Sequence, residues 1–241
     1  MYHPEALLPV ADDTLVILSS EGYYKRMEKK CTKIFIAVQA VLYASFMLRD
    51  ISGAGDSRWI KYASIALCLA FSAFLSERGG EKLVTAALGF TLAADTFLLL
   101  LDSSYAVGVA LFCAVQALYF ARIYRANGGH SAALARLALF AAGLVLLAIL
   151  KLLSPLNLLV CFYFTSFLCN AAQSMSIKNT LFSIGLVLFL LCDICVGIHN
   201  MPGMFPAALG GFADIGMWMF YLPSQVLITL SGRAKNCEVI K

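Results

Sequence analysis

Charged side chains are scarce in this sequence. Only 13% of its 241 residues are Asp, Glu, Lys or Arg, whereas 61% are hydrophobic. A soluble domain has about 25% charged residues, because its surface must face water. The shortage of charge, together with a mean hydropathy of +0.83, excludes an ordinary soluble globular fold.

Several signatures of chemistry are also missing. The sequence has 3 histidines and no Gly-rich phosphate loop, and its basic residues are not interleaved with aromatic ones. Most of its 8 cysteines lie in apolar segments, which is not the pattern of a disulfide framework. The "CDIC" stretch at 192–195 has no second Cys pair to complete a metal site. We therefore expect no metal, no cofactor and no nucleic-acid partner.

Long uncharged runs dominate the chain instead, and such runs are typical of transmembrane helices. A backbone exposed to lipid must satisfy its hydrogen bonds internally, which favours helices. We predict an all-α, polytopic membrane helical bundle with eight transmembrane helices. The predicted spans are 33–49, 58–76, 82–101, 105–124, 133–153, 157–173, 179–198 and 206–231. Pro223 lies within the last span, where we expect a kink.

Lys and Arg are distributed unevenly over the predicted loops. Of the 18 basic residues, only Arg49, Arg58, Lys61 and Lys151 fall on one side of the membrane. The positive-inside rule predicts that the other side, which holds both termini, is cytoplasmic. We thus expect a cytoplasmic segment at 1–32, a transmembrane domain at 33–231 and a cytoplasmic tail at 232–241. The expected location is the plasma membrane or the endoplasmic reticulum.

Three carboxyl groups lie inside the predicted spans, namely Asp95, Asp193 and Asp214. An ionisable residue near the bilayer centre costs about 2.5–3.5 kcal/mol on insertion scales and usually faces protein or water. Asp95 and Asp193 each lie about 20 Å from the predicted cytoplasmic face, and Lys61 lies close to the same level. Such groups either pair to fix helix packing or form a functional site, and the equal depth of the two favours a site.

Four stretches resemble, in order, the signatures of the YhhN-like lysoplasmalogenase family of multi-pass membrane proteins. They are "GFTLAADTFLLL", "GVALFCAVQALYFARIY", "GLVLFLLCDICVGIHN" and "MFYLPSQVLITLSG". The resemblance covers about residues 58–232. Two positions depart from the family pattern, since Ala94 replaces a Gly and Cys192 replaces a Ser.

The resemblance implies hydrolysis of the vinyl-ether bond of lysoplasmalogens, with Asp95 and Asp193 as an acid–base pair. It also implies substrate-binding residues, which are Lys61, Gln116, Tyr119, Tyr221 and Gln225. The expected partners are a lysophospholipid substrate and membrane lipids, and a homodimer is left open. Two alternatives stay open as well: a proton-coupled carrier of a small lipid that uses the same carboxylates, and a scaffold without chemistry.

Overall fold

The computed structural model describes residues 12–201 and 203–233, and in this part of the chain eight helices follow one another without a strand. The helices are α1 (Asp12–Ser52), α2 (Arg58–Ser76), α3 (Lys82–Asp95), α4 (Tyr105–Ala126), α5 (Ala133–Ile149), α6 (Pro155–Ser174), α7 (Thr180–His199) and α8 (Ala207–Ser231). A π-helical segment, Thr96–Leu100, continues α3. The all-α fold predicted from the sequence is confirmed.

Six helical segments are long and apolar enough to cross a membrane, among them Arg26–Ser52 of α1 and Lys82–Leu100 of α3 with its π segment. The eight predicted spans match the eight helices, but α5 and α8 fall outside this group. α5 has only 17 residues, and α8 carries Asp214, Pro223 and Gln225 among its apolar residues. Leu134, 81% exposed, and Ile149, 70% exposed, lie on an apolar face of α5 that suits contact with lipid.

The chain divides into two units, one that ends at Ala40 and one that begins at Val41, so α1 contributes to both. The predicted N-terminal segment 1–32 lies partly outside the described residues, and within them α1 runs on past residue 32 without a break. Most of the predicted tail, 232–241, also lies outside the described residues. The cytoplasmic location of the termini stays a prediction.

Five helices of the second unit form a closed ring. α3 contacts α4 and α8, α4 contacts α6, α6 contacts α7, and α7 contacts α8. α2 packs outside the ring on α3 and α8, while α5 packs outside it on α6. We name the two ends of the ring after residues that lie there: the Lys61 end, where α2, α4, α6 and α8 begin, and the Arg122 end, where α3 and α7 begin.

Glycines allow α7 and α8 to approach closely. A Cβ atom added at Gly185 would lie 2.8 Å from Ile228 Cγ1 and 3.2 Å from the carbonyl oxygen of Ser224. A Cβ added at Gly216 would lie 2.9 Å from the sulfur of Cys195. Small residues at such crossings let helix backbones come together in membranes. The two contacts also fix the antiparallel register of the helices.

Gly185→Ala is therefore expected to destabilise the protein, because α8 backbone atoms beside the new methyl group cannot move independently. Overpacking of this kind costs about 1–3 kcal/mol. Gly197→Ala is the matched control on the same helix, since nothing lies within 4 Å of its added Cβ. Thermal melting in detergent should show a lower Tm for Gly185→Ala alone. Equal melting of the two variants would contradict the close packing of α7 and α8.

Pro223 lies inside α8 and removes one backbone hydrogen bond from the helix, while the kink predicted there stays a prediction. Proline has no N–H, so the carbonyl of Met219, four residues earlier, loses its backbone donor. The Tyr43 hydroxyl donates to this carbonyl oxygen at 3.3 Å. Phe46 packs edge-on against Trp218 with the ring centroids 6.1 Å apart. The end of α1 is thus attached to α8 at the point where α8 needs an outside donor.

Candidate functional site

A cleft at the Lys61 end holds a cation in a fixed position. Lys61 Nζ lies 2.7 Å from Asp50 Oδ2 and 4.6 Å from the ring centroid of Trp218. Ser57 donates to the other oxygen of Asp50 at 2.5 Å. The cleft has a volume of about 420 Å³ and is lined by Arg49, Asp50, Gly53, Gly55, Lys61, Asp214, Ile215 and Trp218.

Asp214 lies at the same end but in a different environment from the other two carboxyl groups. One of its oxygens is 2.5 Å from Nδ1 of His199, and both side chains are more than half exposed. Asp214 also lines a second cavity of about 240 Å³ beside the loop before α8. It therefore belongs to the surface of the Lys61 end and not to the interior of the ring.

Asp95 lies directly below the cleft. Trp218, in the wall of the cleft, packs edge-on against Tyr221 with the ring centroids 5.4 Å apart. The Tyr221 hydroxyl lies 3.0 Å from Asp95 Oδ1 and 2.8 Å from Oδ2. The pair joins α3 to α8, and Asp95 is only 5% exposed. Two side-chain contacts thus connect the cleft to a buried carboxyl group.

The backbone changes its winding immediately after Asp95. α3 ends at Asp95, and the π segment Thr96–Leu100 follows. The Thr96 hydroxyl donates to the carbonyl of Leu92 at 2.9 Å and lies 3.1 Å from the hydroxyl of Tyr62 on α2. Single π turns inside α-helices are frequent at functional sites. The π segment therefore lies next to Asp95, which the sequence already indicates as a functional residue because it is a carboxyl group within an apolar span.

Asp193 has a tyrosine partner of its own. The hydroxyl of Tyr163, on α6, donates to Asp193 Oδ2 at 2.5 Å. Asp193 is half-buried, and its pair joins α6 to α7 across the ring from Asp95. Because the α7–α8 register is known from Gly185 and Gly216, Asp193 lies within about one helical turn of the level of Tyr221.

Aromatic rings lie between the two aspartate–tyrosine pairs. Phe189 has its ring centroid 5.5 Å from Tyr221 and 5.7 Å from Phe112, and Phe112 is 6.0 Å from Tyr163. The carboxyl groups therefore share the interior of the ring, but each is bound to a separate tyrosine with phenylalanine rings between them.

Four further side chains in the ring carry polar atoms without a partner among the described residues. They are Thr91, Gln116, Tyr119 and Gln225, each no more than 1% exposed. Thr91 lies one turn before Asp95 and Gln225 one turn after Tyr221, so both lie on the Arg122 side of that pair. Buried polar groups nearly always have hydrogen-bond partners. This set is suited to bind a water molecule or a polar group of a substrate.

The Arg122 end of the ring is closed by a buried cation. Arg122 forms an ion pair with Glu81 and donates to the hydroxyl and the carbonyl of Ser231 at 2.7 and 2.8 Å. Its guanidinium carbon lies 4.1 Å from the ring centroid of Phe182. Asn179 donates to the same Ser231 carbonyl at 3.1 Å. These contacts connect α4, α7, α8 and the residue before α3 across this end.

The structure thus brings the residues predicted from the sequence into two connected places. Lys61 lies in the cleft, and the other predicted residues lie in the ring, which are Asp95, Gln116, Tyr119, Asp193, Tyr221 and Gln225. Sequence reasoning missed Tyr163, because an aromatic residue in an apolar helix carries no signal of its own. It also missed Arg122 as a buried group and Arg136 as a donor to Asn170, because a cation near a helix end is usually assigned to the membrane surface.

Comparison with known proteins gives one match. The model of the YhhN family matches residues 57–232, which contain the ring, the cleft residue Lys61 and all the predicted site residues. No curated protein and no solved structure matches the chain.

Proposed function

Because the chain belongs to the YhhN family, we propose that it is an intramembrane hydrolase that cleaves the vinyl-ether bond of lysoplasmalogens. The products are a fatty aldehyde and a glycerophospho-alcohol. The observation that carries the proposal is the buried Asp95–Tyr221 pair beneath the Lys61 cleft. A buried carboxyl group near a cleft that contains the basic side chains Arg49 and Lys61 suits a lipid that has a phosphate in its head and a reactive bond a short distance further in.

The cleft suits the head group of a single-chain phospholipid. Its volume of about 420 Å³ lies within the range of about 300–1,000 Å³ that is usual for ligand pockets. Lys61 and Arg49 supply positive charge for the phosphate, and Trp218 supplies an apolar wall. The alkenyl chain then enters past Trp218 toward the buried rings of Phe112 and Phe189, and these rings have to move apart to admit it.

The chemistry needs one water molecule and two kinds of group. An acid adds a proton to the carbon of the double bond that is remote from the ether oxygen, and the other carbon becomes an oxocarbenium-like cation. Water adds to that cation, returns one proton, and the resulting hemiacetal breaks into aldehyde and alcohol. Carboxyl groups in unlike surroundings can divide the roles of acid and anion. The ring face of Phe189, between the pairs, further stabilises a cation.

The unpartnered polar atoms offer a place for the attacking water. The side-chain oxygen of Gln225, Oε1, can accept a hydrogen bond. The hydroxyl groups of Thr91 and Tyr119 can both donate and accept one. Thr91 and Gln225 lie one turn beyond the Asp95–Tyr221 pair as seen from the cleft, and Tyr119 lies nearer the Arg122 end, where its ring contacts Phe182. A water molecule bound there approaches the double bond from the side opposite to the head group.

The contacts of Arg122 close one end of the ring, so a carrier would need a second conformation in which they are broken. The test uses purified protein and a vinyl-ether lysolipid, first in detergent and then in sealed vesicles. Release of aldehyde in detergent supports the proposal. Movement of intact lysolipid across the vesicle membrane without aldehyde release would show that the protein is a carrier and not a hydrolase. If neither hydrolysis nor movement is detected, the scaffold is the remaining alternative.

Lys61→Met is expected to raise KM for the lysolipid with little change in kcat, because Lys61 binds the head group and not the reacting bond. A hydrogen bond to a charged group contributes about 1.5–3 kcal/mol, so KM should rise about tenfold or more. Arg58→Gln is the control, since Arg58 pairs with Asp56 at the exposed surface of the same end. An unchanged KM in Lys61→Met would exclude a role in head-group binding.

A further inference from the structure

A line of hydrogen bonds begins at Arg136, near the start of α5. Its Nη2 atom donates to Asn170 Oδ1 at 2.8 Å and to Gln173 Oε1 at 2.5 Å. Its remaining contacts among the described residues are backbone carbonyls and the ring of Phe120. A guanidinium group only donates hydrogen bonds. The side of the Asn170 amide that faces Arg136 must therefore be its oxygen.

The orientation of Asn170 fixes the orientation of Gln116. With its oxygen turned to Arg136, Asn170 presents its NH₂ group to α4, where Nδ2 lies 2.8 Å from the Gln116 backbone oxygen and 2.9 Å from Oε1. Both atoms of Gln116 are acceptors, which agrees with the direction that Arg136 sets. The Gln116 side chain is 1% exposed, so its NH₂ group has to point into the ring.

Gln116 then faces the Tyr163–Asp193 pair. Its Nε2 atom has no fully formed hydrogen bond among the described residues, but the side chain interacts with the hydroxyl of Tyr163. That hydroxyl in turn donates to Asp193 at 2.5 Å. Arg136 thus donates to Asn170, Asn170 donates to Gln116, and Tyr163 donates to Asp193. The Gln116 NH₂ group, which has no formed hydrogen bond, is the donor that lies between these two parts.

We propose that this donor chain, Arg136–Asn170–Gln116–Tyr163, keeps Asp193 as a carboxylate, so that Asp193 is the resident anion of the site and Asp95 is its proton donor. A chain of donors that starts at a cation polarises each bond toward the last acceptor, and the low dielectric of the interior strengthens the effect. Arg136 and Asn170 act as positioning residues, since neither reaches the substrate.

No comparable chain of hydrogen-bond donors leads to Asp95 among the described residues. Its partner Tyr221 receives no side-chain donor among the described residues, and one hydroxyl hydrogen is shared between the two oxygens of Asp95. A protonated Asp95 can donate its own proton toward the interior and still accept from Tyr221. The roles of Asp95 as acid and Asp193 as anion rest on the proposed function. The inference that Asp95 is protonated and Asp193 is ionised does not depend on that function.

Infrared spectroscopy tests the protonation states without any substrate. A protonated carboxyl group has a C=O stretching band that shifts when the protein is moved from H₂O to D₂O. The wild-type protein should show one such band from the interior, which Asp95→Asn removes and Asp193→Asn keeps. Arg136→Met and, independently, Asn170→Leu should each produce a second band, which Asp193→Asn then removes.

Gln173→Leu is the matched control, because it removes another acceptor of Arg136 on α6 without interrupting the chain. It should show the wild-type spectrum. Loss of the wild-type band in Asp193→Asn, or the absence of any band, would overturn the assignment. A single band in both Arg136→Met and Asn170→Leu would overturn the role of the chain, even if the lysolipid is hydrolysed normally. Failure of hydrolysis with the expected spectra would count against the proposed function alone.

Discussion

Asp95→Asn is expected to lower kcat for a vinyl-ether lysolipid at least about a hundredfold. General acids contribute about 10²–10⁴ in rate, and an amide cannot transfer a proton to carbon at neutral pH. The substitution keeps the size of the side chain and an oxygen for the Tyr221 hydroxyl, which now lies 2.8 Å from Asp95 Oδ2. Folding should therefore be preserved, and the loss should appear in kcat and not in KM.

Asp102→Asn is the control for this prediction. Asp102 follows the π segment at the Lys61 end, is exposed, and accepts a hydrogen bond from Tyr105 at 2.5 Å. Its replacement should leave the steady-state kinetics unchanged. Asp193→Asn should also lower kcat, because it removes the anion opposite the acid. If Asp95→Asn kept half of the wild-type kcat, Asp95 would not be the proton donor.

Arg122→Met is expected to cause the largest loss of stability. The Arg122 side chain is 5% exposed, and its removal leaves Glu81 and the Ser231 carbonyl without their main donor. A hydrogen bond to a charged group contributes about 1.5–3 kcal/mol, and Arg122 donates two of them to Ser231. The variant should melt well below the wild-type protein in detergent, with loss of the monodisperse peak in size-exclusion chromatography.

Two neighbouring substitutions separate burial from charge in this prediction. Arg125→Met removes an equal charge three residues further along α4, where the side chain is exposed. This variant should melt like the wild-type protein. Glu81→Gln should have an intermediate effect, because Glu81 is 42% exposed and surface ion pairs contribute about 0–1 kcal/mol. If Arg122→Met and Arg125→Met melted alike, Arg122 would not hold the ring closed.

The helices could be predicted from the sequence because membrane helices are coded locally. A run of about 20 apolar residues is a signal that needs no tertiary contact, and the predicted span 58–76 coincides with α2, Arg58–Ser76. α5 is less regular: its helix ends at Ile149, whereas the predicted span ends at 153. Lys151 there has a positive φ of 56°, a turn conformation that hydropathy does not report.

The site could be predicted only in part, because its geometry depends on contacts between distant helices. Asp95 and Asp193 are visible in the sequence, since a carboxyl group in an apolar run needs an explanation. The resemblance indicates Tyr221 as a site residue, but nothing in the sequence pairs it with Asp95. Tyr163 looks like an ordinary aromatic residue of a span. Likewise, Arg136 lies 34 residues before Asn170, and only the packing of α5 on α6 joins them.

Hydrolysis in D₂O tests the central claim most directly. Purified protein is incubated with a vinyl-ether lysolipid, and the aldehyde is reduced at once to the alcohol so that later exchange cannot occur. If the carboxyl groups of the ring protonate the double bond, the product carries one solvent deuterium on the carbon next to the former carbonyl, and Asp95→Asn forms it only at the background rate. Recovery of the intact lysolipid, or equal product from Asp95→Asn, would contradict the account.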